Sequence, residues 1–301
     1  MKKLKISVAN KKALAFVLLG LVPGIFCYCF FNIQTIIRSI LMAFETPSKK
    51  GTYYSFYQFS VVIEQLRMPD SKIFESLINT LKFFAFDLVV MTTVCVCASY
   101  FIYKKIFMYK FYRFVFFLPA ILPSIVLVAV FKEIIGANGP VLALWETITG
   151  EAPAILKDSR YALNTIMFYQ LWTGLGMSVI LFTASFARIP PSVIEYGRLE
   201  GISPLKELVL IMIPLIWPML SVILLQKFIG IFGASGPILL FTQGDANTYT
   251  LAYYIYSYTA GINGAVNLNL ASAVGLFFTL IGLPIAILFY KLANKVEAVE
   301  Y

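Results

Sequence analysis

The residues that could do chemistry in this chain are few, and the missing types exclude most of what they could do. There is no histidine among the 301 residues, so histidine-based triads, histidine zinc sites and histidine proton relays are ruled out. The four cysteines stand as Cys27-x-Cys29 and Cys95-x-Cys97 inside apolar runs. A spacing of two turns paired thiols to different faces of a helix, so small buried side chains are expected rather than a redox or metal site. No G-x4-GK[ST] phosphate loop occurs, and no nucleophile is matched to a base as an enzyme working within a membrane would require. Energy for uphill work has to come from elsewhere.

Three polar groups remain as candidates, each set in apolar sequence. Asp87 follows Phe83 to Phe86; a carboxylate inside a bilayer is costly and marks a functional position by default. It sits only about 6 Å beyond Phe83 along a helix, so Lys82 or headgroup water is an expected partner, with a place on a transport route as the functional alternative. Gln170 and Trp172 share a run with Asn164, Thr173, Gly174 and Gly176, small and polar residues that face protein or a cavity rather than lipid. The third group is Arg188 to Pro218, RIPPSVIEYGRLEGISPLKELVLIMIPLIWP, polar for half its length between two strongly apolar runs.

The elements that position these groups follow from composition. Sixty per cent of the residues are hydrophobic and 13% charged, where a soluble domain has about a quarter charged. An all-α integral membrane protein is expected. Six segments reach the roughly 20 apolar residues a span needs, at about 13–37, 77–103, 114–135, 162–187, 208–229 and 269–290. The run from Ala13 is too long for a secretory h-region and is read as a retained first span. With both termini cytoplasmic, residues 1–12, the loops and the tail 291–301 collect 14 Lys/Arg against five acids. The other 10 basic and 10 acidic residues cancel, so the net +9 lies on one side. That is the positive-inside pattern. It needs no nucleic acid as partner, and it places loop 188–207 in the cytoplasm.

Within that loop Pro190-Pro191 ends one helix. Ser192 and Glu195 have the spacing of a capping box, Gly201 suits a left-handed helix end, and Ser203-Pro204 is a second start. Two short helices about a glycine are predicted. Gly20-x3-Gly24 is a close-packing pattern in the first span. Gly230, Gly233 and Gly236 predict a broken helix near the membrane edge. Tyr249, Tyr253 and Tyr256 share one helical face and Tyr254 and Tyr258 another, suited to an interfacial belt or to stacking on a sugar ring.

Glu195, Gly201, Ile211 and Pro214 fall at the spacing E-A-A-x3-G-x9-I-x-L-P, and the chain thereby resembles the permease subunits of binding-protein-dependent ABC importers. Tyr196-Gly197 replace the two alanines and Ile213 the leucine. The IP-x4-E flank, Glu200-Gly201, Asn79-Thr80 and FLPAILPS are similar to the carbohydrate, maltose-type branch. The resemblance implies the type I importer permease fold of six transmembrane helices in a bacterial cell membrane. It implies a coupling loop of Glu195, Tyr196, Gly197, Glu200, Gly201, Ile211 and Pro214 docked on an ATPase. ATP and Mg would sit on two ATPase subunits, with no cofactor on this chain. A second homologous permease, an extracellular solute-binding lipoprotein and membrane lipid complete the expected partners. The segment from Lys227 corresponds to one that contributes to the substrate site in the family, which adds Phe228 and Phe232 to the pathway candidates Asp87, Gln170 and Trp172. Here Gln243-Gly244-Asp245 replaces the usual Gly-Gly-Pro, and the asparagines common in the maltose-type site are absent from Ile231 to Ala234. The alternative is an ion-coupled secondary transporter of a small polar solute, which usually shows more intramembrane acids and symmetric repeats.

Overall fold

The computed structural model describes residues 8–48, 51–262, 264 and 266–296. Lys2, Lys3, Lys5, Glu297 and Glu300, which entered the charge count, lie outside the described residues. Helices α1 (Val8–Cys27) and α2 (Gln34–Phe44) run on through a π-helical turn at Tyr28–Ile33. They form an apolar rod whose most apolar stretch is unburied by the rest of the chain. A Cβ built on Gly20 or Gly24 meets nothing within 4 Å, so that pattern packs on no neighbour among the described residues. Cys27 and Cys29 are exposed on the same rod, against the expected burial, while Cys95 is buried and Cys97 half-buried.

A short antiparallel hairpin follows, β1 (Glu45–Ser48) with β2 (Gly51–Tyr54), Glu45 opposite Tyr54. Helix α3 (Tyr57–Arg67) leads to α4 (Lys72–Ala85), whose first turn is capped by Ser71 Oγ accepting from the Phe74 N–H. A π-helical turn at Phe86–Met91 joins α4 to α5 (Thr92–Tyr103), making one apolar helix from Lys72 to Tyr103. Next come α6 (Tyr109–Ile121), α7 (Ser124–Ile135), α8 (Pro140–Thr149) and the long α9 (Ala162–Phe186). The segment 114–135, expected as one span, is therefore broken. Leu122 is extended at φ −84°, ψ 144°, because Pro123 disfavours helical geometry in the residue before it.

Helices α10 (Pro191–Leu199) and α11 (Pro204–Glu207) form the loop, and a π-helical turn at Leu208–Met212 carries it into α12 (Ile213–Leu215) and α13 (Trp217–Ile229). The chain bends by 78° between the stretches 204–215 and 217–229. Pro218 has no N–H to bond back and its ring crowds the preceding turn, so Ile216 leaves helical geometry at φ −93°, ψ 5°. Beyond α13 the expected break is present: a 3₁₀ turn at Ile231–Gly233, then α14 (Ile238–Phe241), α15 (Leu251–Thr259) and α16 (Leu268–Ala293). Among the described residues five helices are long and apolar enough to cross a membrane, and the bent pair makes six.

Three apolar clusters hold the helices together. One joins α5, α9 and the start of the bent span through Cys95, Phe182, Phe186 and Met212; a second joins α4, α7, α9 and α14 through Phe83, Ile166 and Ile238; a third joins α3, α15 and α16 through Val62, Tyr254 and Val274. The bent span thus packs on the first cluster on both sides of its bend, through Leu208 and Met212 before it and Leu220 after it.

Candidate coupling loop and pathway residues

The loop is a knob with a fixed base. Helix α10 starts at Pro191, so Ser192 lies within its first turn and not at the cap; the capping box expected from Ser192 and Glu195 is not the way this helix begins. Val193 N–H bonds back to the Pro190 carbonyl at 3.1 Å. The other end is as expected: Gly201 is left-handed at φ +69°, and the Ile202 N–H reaches the Gly197 carbonyl at 3.2 Å. That bond, spanning five residues, closes the helix end in a Schellman arrangement. Ser203 occupies the cap position of α11 and Pro204 its first helical position, although the Ser203 hydroxyl makes no capping bond.

Glu195, Tyr196, Leu199 and Glu200 point away from the protein, with Tyr196 70% and Leu199 83% exposed. Gly197 is buried instead. A Cβ there would lie 2.8 Å from Ile211 Cδ1 and 3.9 Å from Ile202 Cδ1, so the signature isoleucine packs directly on the backbone of α10. Pro214 is half-buried in α12, just before the bend. Glu207, at the start of the bent span, is 4% exposed and pairs with Lys104 at the end of α5; Lys104 Nζ also lies 5.5 Å from the Tyr100 ring centre. At this same end Trp217 Nε1 donates to the Ala293 carbonyl of α16 at 3.2 Å.

The pathway candidates do not form one cluster. Asp87 lies in the π-helical turn and pairs not with Lys82 but with Lys227 Nζ, at 2.7 Å from Oδ1. The same ammonium donates to the Asp87 carbonyl at 3.1 Å, an acceptor that the π turn makes available. Phe228 is adjacent, stacked on Phe289 at 4.3 Å and edge-on to Phe84 at 5.3 Å. Phe232 turns to α16, 5.0 Å from Phe278, and a Cβ on Gly282 would lie 3.2 Å from its ring. Trp172 belongs to a separate aromatic group, 6.3 Å from both Phe131 and Tyr169. It borders a 540 Å³ cavity between α7, α8 and α9, with Trp145, Tyr161 and Asn164. Gln170 is half-buried, and its Oε1 is sealed off without a hydrogen-bond partner among the described residues.

Tyr253 with Tyr256 and Tyr254 with Tyr258 form the expected faces of α15, but Tyr249 precedes the helix and reaches the first face only through its ring, 5.2 Å from that of Tyr253; both faces serve the fold. Tyr253 and Tyr254 are buried. Their hydroxyls donate to the Gln243 carbonyl at 2.8 Å and to Gln65 Oε1 at 3.0 Å, so neither is an interfacial belt residue or free to stack on a sugar. Tyr256 remains 43% exposed. Gly244, at φ +85°, lies where a Cβ would strike Tyr249 at 2.4 Å and Tyr253 at 2.7 Å. Outside the spans, the Arg160 side chain and backbone N–H bond Asp158 and hold its carboxyl below the usual range.

A mostly helical membrane protein with a bent fifth span and an exposed two-helix loop at its root is a transport permease in architecture. The chain belongs to the family of binding-protein-dependent transport system inner membrane components, whose model matches residues 92–298. The multiple sugar-binding transport system permease protein MsmF of Streptococcus mutans is 24% identical over 283 residues, 90% of this chain and 96% of that protein. The maltose/maltodextrin transport system permease protein MalF of Escherichia coli K12 is 25% identical over 183 residues, 57% of this chain and 36% of that one. A chain of a bacterial ABC transporter that imports the acidic polysaccharide alginate shares the fold with a TM-score of 0.80 at 18% identity, covering 95% of this chain and 98% of its own. The likeness holds in a second alginate transporter structure, with its periplasmic protein bound, at a TM-score of 0.79 and 17% identity, covering 96% of this chain and 97% of that one.

Proposed function

We propose that this chain is one of two homologous permease subunits of an ATP-driven importer, forming half of a carbohydrate pathway fed by an extracellular binding protein. The observation that carries the reading is the loop itself: an exposed face of Glu195, Tyr196, Leu199 and Glu200 on a short helix whose inner side is fixed by the Gly197–Ile211 contact. Exposed apolar side chains on a rigidly based knob suit a groove on another protein. Two ATPase subunits holding ATP and Mg on the cytoplasmic side are the partners of that knob. Closure of the ATPases would then move α10 as a body and, with it, the bent span, a repacking of the kind that switches packed helices. The carbohydrate class rests on the sugar-transport relatives, and a second permease and the binding protein on their family.

Replacing Leu199 with Asp alters a side chain that supports nothing inside the chain. Expression of the complete importer carrying L199D should give normal membrane insertion with loss of copurifying ATPase. Unchanged ATPase association would overturn the assignment, as would uptake that survives ATP depletion and collapses with the ion gradient.

A further inference from the structure

We propose that the groove between α5 and α6 holds an acyl chain of an anionic phospholipid whose phosphate is gripped by Lys105 and Lys110. The groove has a volume of 490 Å³ and is walled by Thr93, Cys97, Phe101, Ile106, Tyr112 and Phe116, within the range of small-molecule sites. Phe101, Ile106 and Tyr112 are each 45–54% exposed, so it opens to the outside of the chain, and its walls are almost wholly apolar.

The sequence beside it is basic. No acidic residue occurs from Leu88 to Lys132, while Lys104, Lys105, Lys110 and Arg113 fall within ten residues. Lys104 is taken up by Glu207. Lys105 and Lys110 are exposed, flank groove residues Ile106 and Tyr109, and have no ion pair among the described residues. Arg113 turns to a separate, smaller pocket with Phe117 and Thr183. The turn that places the two lysines is held in costly geometry: Lys105 and Met108 are left-handed at φ +52° and +60° without being glycine, a strain that persists where surrounding structure enforces it. It is enforced by the Ile106 N–H to Phe101 carbonyl bond at 3.3 Å, the Tyr109 N–H to Ile106 carbonyl bond at 2.9 Å, and the Lys104 pair. Phe107, 84% exposed at the tip, suits the headgroup boundary beside these charges. An apolar slot with two free ammonium groups at its end fits a phospholipid better than a free phosphate, which would leave the slot empty. The inference needs only that α5 and α6 lie in the bilayer and holds whatever the cargo.

The test uses the complete importer, extracted from vesicles of equal phosphatidylglycerol and phosphatidylcholine and weighed intact by native mass spectrometry. Wild type should retain phosphatidylglycerol about tenfold over phosphatidylcholine, the order expected of two lysines beside an anionic headgroup. K105Q/K110Q should bring that ratio near one, while K291Q/K295Q, removing two lysines at the end of α16, should leave it unchanged. Equal retention in wild type, or equal loss in both double variants, overturns the proposal. Should K105Q/K110Q fail to assemble, wild type alone decides. Phosphatidylglycerol with a photoreactive acyl chain should label peptides within 93–116, and labelling confined to other spans overturns the site.

Discussion

Lys227 meets Asp87 twice, at the carboxylate and at the backbone carbonyl of the same residue, and so joins the π-helical turn of the second span to the end of α13. Both side chains are largely buried, 15% and 22% exposed. Removing one member of a buried pair costs about 3–5 kcal/mol, and partial exposure puts this pair at the lower end. Asp87→Asn and Lys227→Gln should each lower the thermal midpoint of the purified importer, and the double variant should recover most of the loss because no lone charge is left. The exchange Asp87→Lys with Lys227→Asp restores the side-chain pair but brings a carboxylate towards the carbonyl of residue 87. It should remain clearly below wild type; full recovery would show that the carbonyl contact carries nothing.

A second pair joins the same two spans at the loop end. Lys104 and Glu207 stand 17 residues after Asp87 and 20 before Lys227, so the second and fifth spans are tied at two separated levels, with a π-helical turn beside each tie. Lys104→Met leaves Glu207 buried without its counter-charge. The expected result is an importer that keeps ATP hydrolysis but loses uptake several-fold, and Lys104→Met with Glu207→Gln should regain part of it. Equal loss of hydrolysis and uptake would point to misfolding instead of lost coupling.

The two glycines of the loop differ in kind, and their substitutions separate them. At Gly201 space is open but φ is +69°, a region that only glycine enters cheaply. Gly201→Val should therefore impair transport, with no rescue by trimming neighbours. At Gly197 the backbone is ordinary and the obstacle is Ile211 Cδ1, the mobile end of a side chain. Gly197→Ala, which restores the residue common in the family, should be tolerated with a rotamer change at Ile211. Gly197→Val should impair uptake, and adding Ile211→Ala should restore it. Uptake assays on the four variants check the distinction.

What the sequence revealed and what it hid divide along chain distance. The left-handed Gly201, the start at Ser203-Pro204 and the broken segment after Lys227 are local, set by φ preferences and missing N–H groups within a few residues, and were legible. The partner of Asp87 was not, because Lys227 is 140 residues away and nothing short-range in the sequence distinguishes it from Lys82. The burial of Glu207 was hidden for the same reason. The bend at Ile216 had a signal in Pro214 and Pro218, but two prolines a turn apart specify a weak point and not an angle. The four tyrosines within α15 were read correctly as two faces, while Tyr249 falls before the Thr250 cap and lies on neither, and whether a face meets lipid or protein is decided by α3 and by the Gln243–Asn247 loop.

That loop is held by two polar residues of the second span. Asn79 Nδ2 donates to the carbonyls of Asn247 and Tyr249 at 2.8 and 2.9 Å, and Thr80 Oγ1 accepts from the Leu251 N–H at 2.8 Å. Both side chains are buried, and the segment they hold contains three non-glycine residues with positive φ, Gln243, Ala246 and Asn247. Such geometry persists only while its surroundings enforce it. Asn79→Leu keeps the size but removes both donors from the carbonyls of Asn247, an exposed residue, and of the half-buried Tyr249, while Thr80→Val takes the acceptor from the buried Leu251 N–H; a fully buried group orphaned in this way costs about 1–3 kcal/mol. Amide exchange over 247–254 should accelerate more in Asn79→Leu than in Thr80→Val, while exchange in α9 stays unchanged. Equal protection of 247–254 in both variants would mean that the tyrosine packing, and not these bonds, fixes the segment.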